Sequence, residues 1–63
     1  MDLYDVVELT TDLPEERLAA GSVGTIVHVF ERPELAYEVE FVDDDGRTIA
    51  AVALTPEKIR PSR

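Results

Sequence analysis

The chain has 63 residues and no cysteine, and its 14 acidic and 6 basic side chains give a formal net charge of −8. A chain of this length is expected to form one domain, over residues 1–63, that buries only about 60% of its unfolded surface. The lack of cysteine excludes disulfides, thiolate metal sites and thiol catalysis, and the acidic balance argues against a nucleic-acid binder, which needs basic side chains against phosphates.

The first predicted elements are a strand and a long loop. The segment "YDVVEL", residues 4–9, is short, β-branched and bounded by polar residues, which is typical of a strand. The segment "TTDLPEER", residues 10–17, has a helix-forming part too short to nucleate a helix. It is predicted to be a surface loop, after which Leu18 returns to the core.

Two glycines in "AAGSVGTIVHVF" precede the second predicted strand, Thr25–Phe30. Gly21 and Gly24 indicate either a backbone with positive φ or a close strand crossing in which a Cβ would clash. A phosphate-binding loop is the alternative, but it needs a lysine and a following helix, whereas a strand follows here. We therefore expect a turn that directs the chain into the strand.

The third predicted strand alternates cleanly between apolar and acidic residues after a break at Pro33. Tyr37, Val39 and Phe41 fall on one face, and Glu38 and Glu40 fall on the other. This pattern indicates a strand with one buried and one solvated face.

A hairpin turn is predicted at "DDDG", where Gly46 takes a left-handed position and residues 47–54 return antiparallel. Three adjacent acids also suggest calcium, but a calcium loop spreads its ligands over about twelve residues. A solvated tip is therefore preferred. The returning strand has two apolar faces, one with Thr48, Ala50, Val52 and Leu54 and the other with Ile49, Ala51 and Ala53.

The last predicted elements are a single helical or 3-10 turn and a short strand. Thr55 is a plausible cap, Pro56 suits the first position of the turn, and Ile59 completes the hydrophobic set. About five short strands, a long first loop and this turn predict an all-β fold, a small SH3-like antiparallel barrel.

The segments "DVVELTTDLPEERLAAGSVGTIVHVF", "AYEVEFVDDDGRTIAAVAL" and "IRP" together resemble a small bacterial family, the domain of unknown function 4926. The resemblance covers residues 4–61 and rests on the joint pattern of "YDVV", "DLP", "AG", "GT" and "YEVEF". It implies an SH3-like barrel and no settled activity. It also suggests that members of this family are small proteins that act as partners of a second encoded protein.

A more distant similarity links "GT" and "VEF" to KOW modules and to the barrel of the nitrile hydratase beta subunit. KOW modules work with RNA or RNA polymerase. Glu38, Glu40 and the negative net charge weaken the inference that this chain also binds RNA. Nitrile hydratase takes its metal ligands from another subunit, so this similarity implies no metal residue here.

Catalytic chemistry has little support in the sequence. His28 is the only histidine, and neither Ser22 nor Ser62 can be matched to it and to an orienting acid by spacing. Glu38 and Glu40 lie about 7 Å apart on one strand face, as in a glycosidase pair, but so small a barrel has little room for a cleft. We expect no enzyme, no cofactor and no metal, and His28 is interpreted as a partly exposed strand position.

The preferred function is a non-catalytic protein-interaction module, antitoxin-like or regulatory, whose partner is a basic protein. The alternatives are a KOW-like accessory, which would need a basic groove from residues 17, 32, 47, 58 and 60, and an accessory subunit of the nitrile hydratase type. A second copy of the chain is a further candidate partner. No signal peptide or membrane span is recognised, and a cytoplasmic location is expected.

The predicted partner-binding surface combines an apolar surplus with an acidic edge, because one alternating face per strand cannot bury all the apolar residues. The surplus comprises Ile26, Val27, Val29, Phe30, Val42, Ile49 and Ala51. The residues predicted to bind the partner are Glu38, Glu40, Val42, Asp43, Asp44, Asp45, Ile49 and Ala51. Those predicted to be structural are Gly21, Gly24, Gly46, Tyr37, Val39, Phe41, Val52 and Leu54.

Overall fold

Five strands form one antiparallel sheet in the computed structural model, which describes residues 1–62. In chain order they are β1 (Val6–Leu9), β2 (Val23–Phe30), β3 (Ala36–Val42), β4 (Thr48–Leu54) and β5 (Ile59–Pro61). Their order across the sheet is β4-β3-β2-β1-β5. Two 3-10 turns, Pro14–Glu16 and Pro56–Lys58, precede β2 and β5. The predicted all-β fold of five antiparallel strands, with a long first loop and a 3-10 turn before the last strand, is confirmed.

The core lies on one face of this curled sheet. Leu54 at the end of β4 and Ile59 at the start of β5 belong to the same buried cluster, so the two edge strands curve around one core. The buried hydrophobic residues are Val7, Leu9, Leu18, Ile26, Tyr37, Val39, Phe41, Leu54 and Ile59. Of the predicted apolar surplus, Ile26 is fully buried, whereas Val27, Phe30, Val42 and Ile49 are exposed.

Strand ends differ from the sequence prediction by one or two residues, each for a local reason. β1 begins at Val6 because Tyr4 has a positive φ of 71°. β2 begins at Val23, which pairs with Glu8 of β1. β4 begins after Arg47, whose carbonyl accepts a hydrogen bond from the Asp43 amide at 2.8 Å within the turn.

The two glycines before and within β2 meet different requirements. Gly21 has a φ of 91° with open space around it, so it serves the turn. Gly24 lies inside β2, where a Cβ would stand 2.7 Å from Val39 Cγ1 and 2.8 Å from the Glu40 carbonyl oxygen. Gly24 therefore permits the close approach of β2 to β3. Of the two reasons predicted from the sequence, positive φ applies to Gly21 and a clash with a Cβ applies to Gly24.

A register shift in each of two ladders changes which side chains share a face. In the β2–β3 ladder Ile26 opposes Val39 and His28 opposes Glu38, so Val27 is an extra residue. In the β3–β4 ladder Phe41 opposes Ala50 and Val42 opposes Thr48. Ile49 is therefore the extra residue of β4.

The second shift moves Thr48 away from the core. Its hydroxyl donates to Glu40 Oε2 at 2.8 Å, on the solvated face of β3. The prediction that Thr48 shares the inner face with Ala50, Val52 and Leu54 is wrong, because Ile49 reverses the alternation at that point.

The loop between β1 and β2 is held by backbone hydrogen bonds rather than left as a loose excursion. The amide of Gly21 donates to the Leu9 carbonyl at 2.8 Å, and Leu13 pairs with Leu18 as an isolated bridge. The amide of Ala20 donates to Asp12 Oδ1 at 2.8 Å. Leu18 is buried, as the sequence predicted.

Candidate functional site

The outer face is the side of β2, β3 and β4 that points away from the core. The pairings of β3 show which residues lie on this face, because Glu38 lies between His28 and Ala53, and Glu40 lies between Thr25 and Ala51. The outer face comprises Thr25, Val27, His28, Phe30, Ala36, Glu38, Glu40, Val42, Thr48, Ile49, Ala51 and Ala53.

Two carboxylates occupy the middle strand of the outer face. Glu38 and Glu40 are half-buried and, as next-but-one residues of a strand, stand about 7 Å apart. Glu40 accepts the hydrogen bond of Thr48, and neither carboxylate has an ion-pair partner among residues 1–62. Their charges are therefore available to an incoming cation.

Exposed apolar side chains lie on both sides of this acidic row. On β4, Ile49 is 52% exposed, and Ala51 and Ala53 are exposed beside it. On β2, Phe30 is 38% exposed, and its ring meets the ring of His28 edge to face at a centroid distance of 4.5 Å. The predicted surface had an apolar centre and an acidic edge, whereas the acids are central because β3 lies between β2 and β4.

The acidic tip of the β3–β4 hairpin is partly a structural feature. Asp43 Oδ1 accepts hydrogen bonds from the amides of Asp45 and Arg47, both at 2.9 Å. Arg47 also pairs with Asp43 at 3.5 Å and with Asp45 at 3.1 Å. Of the three predicted tip acids, Asp43 thus fixes the turn, Asp45 is paired with a cation, and Asp44 is exposed.

The basic side chains do not combine on one element. Arg47 is engaged at the hairpin tip, and Arg60 of β5 donates from Nε and Nη2 to Glu8 Oε2 at 2.9 and 2.6 Å. The others lie on separate segments, with Arg17 at the end of the first 3-10 turn, Arg32 between β2 and β3, and Lys58 in the second 3-10 turn. The groove that a KOW-like accessory would need thus has contributors on five segments.

The remaining titratable groups do not form a cluster. Among residues 1–62 no group of three His, Asp or Glu side chains could hold a metal ion, and the described surface has no pocket. His28 is exposed. The described helical segments are two 3-10 turns of three residues each, too short to cross a bilayer.

One glutamate of the second 3-10 turn has a shifted pKa. The hydroxyl of Thr55 donates to the Glu57 carboxylate, which lowers the pKa of Glu57, and the Glu57 backbone amide and Lys58 lower it further against desolvation. Thr55 occupies the cap position of this turn but makes no side-chain hydrogen bond to a backbone amide there. Its predicted capping role is therefore replaced by the contact with Glu57.

Comparison with protein families gives one result. The model described as Domain of unknown function (DUF4926) matches residues 3–61. The chain belongs to this family. The DUF4926 chain matches no curated protein and no solved structure. Membership therefore agrees with the resemblance found in the sequence.

The predicted binding set covers only part of the outer face of the DUF4926 chain. It included Glu38, Glu40 and two β4 residues, but it omitted Thr48 and the pair His28 and Phe30 on β2, of which Phe30 was named only in the apolar surplus. The alternation of β2 offered a signal for that pair, but the extra residue Val27 obscured it. The sequence did not place Thr48 on the outer face, because no sequence motif indicates the register shift at Ile49.

Proposed function

We propose that this DUF4926 chain is a non-catalytic protein-interaction module that binds a basic protein through the outer face. The observation behind this proposal is the row of Glu38 and Glu40, two carboxylates without ion-pair partners among the described residues, between two exposed apolar strips. Apolar area gives affinity to such a contact, and central charges select the partner and fix its register.

This geometry supports a particular kind of partner surface. It presents two cationic side chains about 7 Å apart, the spacing of alternate residues in an extended strand. Apolar groups on both sides of these cations would cover Ile49 on β4 and Phe30 on β2. A surface of this kind, on a protein that the module masks or regulates, fits an antitoxin-like or regulatory role.

The whole charge of the chain supports the same kind of partner. A net charge of −8 on 63 residues attracts a basic protein over a distance and raises the rate of encounter. The same charge and the scattered positions of Arg17, Arg32 and Lys58 favour a protein over RNA. A reducing compartment such as the bacterial cytoplasm suits a chain without cysteine.

The proposal is tested by capture from cells of the native host with three versions of the chain. These are the wild type, the double variant Glu38→Lys with Glu40→Lys, and a control, Glu15→Lys with Glu16→Lys in the first 3-10 turn. Both variants change the net charge equally, so only the position of the change differs. We expect mass spectrometry to find a basic protein with the wild type and the control and to lose it with the outer-face variant.

Three results would overturn the proposal. One is equal loss of the captured protein from both variants, which would assign binding to net charge alone. Another is retention by the outer-face variant, which would place the contact elsewhere. The third is recovery of RNA in place of a protein, which would favour the KOW-like alternative.

A further inference from the structure

The two edge strands of the sheet are protected to very different degrees. β5 has only three residues and contains Arg60 and Pro61, a charge and a missing amide that both discourage pairing with another chain. β4 has seven residues, "TIAAVAL", with no charge, no proline and no glycine. Within residues 1–62, β4 pairs with β3 alone, so its other side is open.

β4 is therefore the kind of edge to which another strand is added. An edge strand presents a row of unpaired amides and carbonyls, and proteins normally block such rows with charges, prolines or bulges. The register shift at Ile49 lies near the beginning of β4 and leaves residues 50–54 regular. Ile49, Ala51 and Ala53 are exposed along the strand.

We propose that the open edge of β4 pairs antiparallel with β4 of a second copy of this chain, with Ala51 at the two-fold axis. The strand is self-complementary in this register. Ile49 faces Ala53 of the second copy on the outer face, and Ala50 faces Val52 on the inner face, so each larger side chain meets a smaller one. A two-fold contact repeats both pairs, as an isologous interface requires.

The negative charge of the chain is compatible with this dimer. Of the two acids on the neighbouring strand β3, Glu40 lies nearer to the axis, beside Ala51. The Glu40 residues of two copies would be separated by three strand spacings, about 14 Å. This distance exceeds the screening length of about 8 Å at physiological ionic strength, so their repulsion is weak there and stronger in low salt.

The dimer is distinguishable from the contact with a basic partner and does not depend on it. Added salt strengthens an association that opposes like charges, and it weakens one between opposite charges. Pairing of one strand buries a small area, so the association is weak and depends on concentration.

The first experiment is sedimentation velocity of the wild type and two lysine variants over about a hundredfold range of concentration, at low and moderate salt. Ala51→Lys places two cations together at the axis, whereas Val23→Lys changes an exposed residue at the start of β2, two strands away from β4. We expect the wild type and Val23→Lys to dimerise with rising concentration, more at moderate salt, and Ala51→Lys to remain a monomer. Circular dichroism checks that each variant is folded.

The second experiment keeps the proposal testable if Ala51→Lys does not fold. Ala51→Cys introduces the only cysteine of the chain, and residues directly opposite in an antiparallel pair have Cα atoms about 4.5–5.5 Å apart, within disulfide range. We expect Ala51→Cys to form a disulfide-linked dimer under mild oxidation much faster than the control Val23→Cys. Equal rates for the two variants would overturn the proposal, as would a wild type that stays monomeric throughout the concentration range.

Discussion

At the scale of single residues, Gly24 is the one glycine of the chain that has no room for a side chain. A methyl group there would stand 2.7 Å from Val39 Cγ1, 2.8 Å from the Glu40 carbonyl oxygen and 2.9 Å from Phe41 Cδ1. The carbonyl belongs to the β2–β3 ladder and cannot move without disturbing pairing. Gly21 has no such neighbour and needs only its φ of 91°.

We expect Gly24→Ala to destabilise the fold more than Gly21→Ala. Overpacking in a full core costs about 1–3 kcal/mol, whereas a left-handed residue without a clash costs about 1–2 kcal/mol. Urea unfolding followed by circular dichroism measures both variants against the wild type. An unchanged midpoint for Gly24→Ala would show that β2 and β3 are not so close.

The contact between Thr55 and Glu57 predicts a pH effect. The hydroxyl of Thr55 is the main cause that lowers the pKa of Glu57 below its usual 4.5 in the folded chain. A lowered folded pKa stabilises the fold above the unfolded pKa, and this contribution is lost as the pH falls through the folded pKa. We expect Thr55→Val to bring the Glu57 pKa back toward 4.5 in an NMR titration. A Glu57 pKa unaffected by Thr55→Val would contradict the contact.

At the scale of elements, the β3–β4 hairpin depends on one side chain of its tip. Asp43 accepts two backbone amides at 2.9 Å, and Gly46 has the positive φ of 81° that the turn needs. The predicted left-handed position of Gly46 is therefore present. The turn fixes the register of β4 and with it the exposure of Ile49.

We expect Asp43→Ala to lower the free energy of unfolding by about 1–2 kcal/mol, because two amides lose their acceptor. The matched control is Asp44→Ala, which removes the same charge from an exposed neighbour for which the structure gives no hydrogen bond among residues 1–62. Chemical denaturation measures both changes. Equal effects of the two variants would mean that the stability of the tip depends on the loss of a negative charge and not on the hydrogen bonds that Asp43 accepts.

The sequence was a good guide to elements and a poorer one to register. The alternation of Tyr37, Val39 and Phe41 predicted the buried face of β3, because a strand repeats every two residues. It could not predict the extra residues Val27 and Ile49, because a register shift depends on pairing between strands. The sequence therefore placed Glu38 and Glu40 at the edge of the apolar residues, whereas they lie between those of β2 and β4.

At the scale of the whole molecule, an ion pair joins β5 to β1, and the excess of acidic side chains makes the net charge negative. Arg60 is held by Glu8 across the β1–β5 ladder, and Arg47 is held by the hairpin acids. Two of the 6 basic side chains are thus paired with acids of the same chain.

We expect no detectable binding of mixed-sequence RNA or DNA at physiological salt. Affinity for nucleic acid comes mainly from basic groups that displace counterions, and this chain has a net charge of −8. Fluorescence anisotropy with labelled oligonucleotides measures this binding, and an RNA-binding KOW module serves as a positive control. Micromolar affinity that falls steeply with salt would contradict this expectation.

The outer face, with Glu38 and Glu40 at its centre, is the surface that we propose to bind a basic protein. Association kinetics at low and moderate salt test it most directly, with the captured partner immobilised and the two charge-matched double variants in solution. We expect a slower on-rate for Glu38→Lys with Glu40→Lys than for Glu15→Lys with Glu16→Lys, and a difference that shrinks with added salt. Identical rate constants for the two variants at both salt concentrations would contradict it.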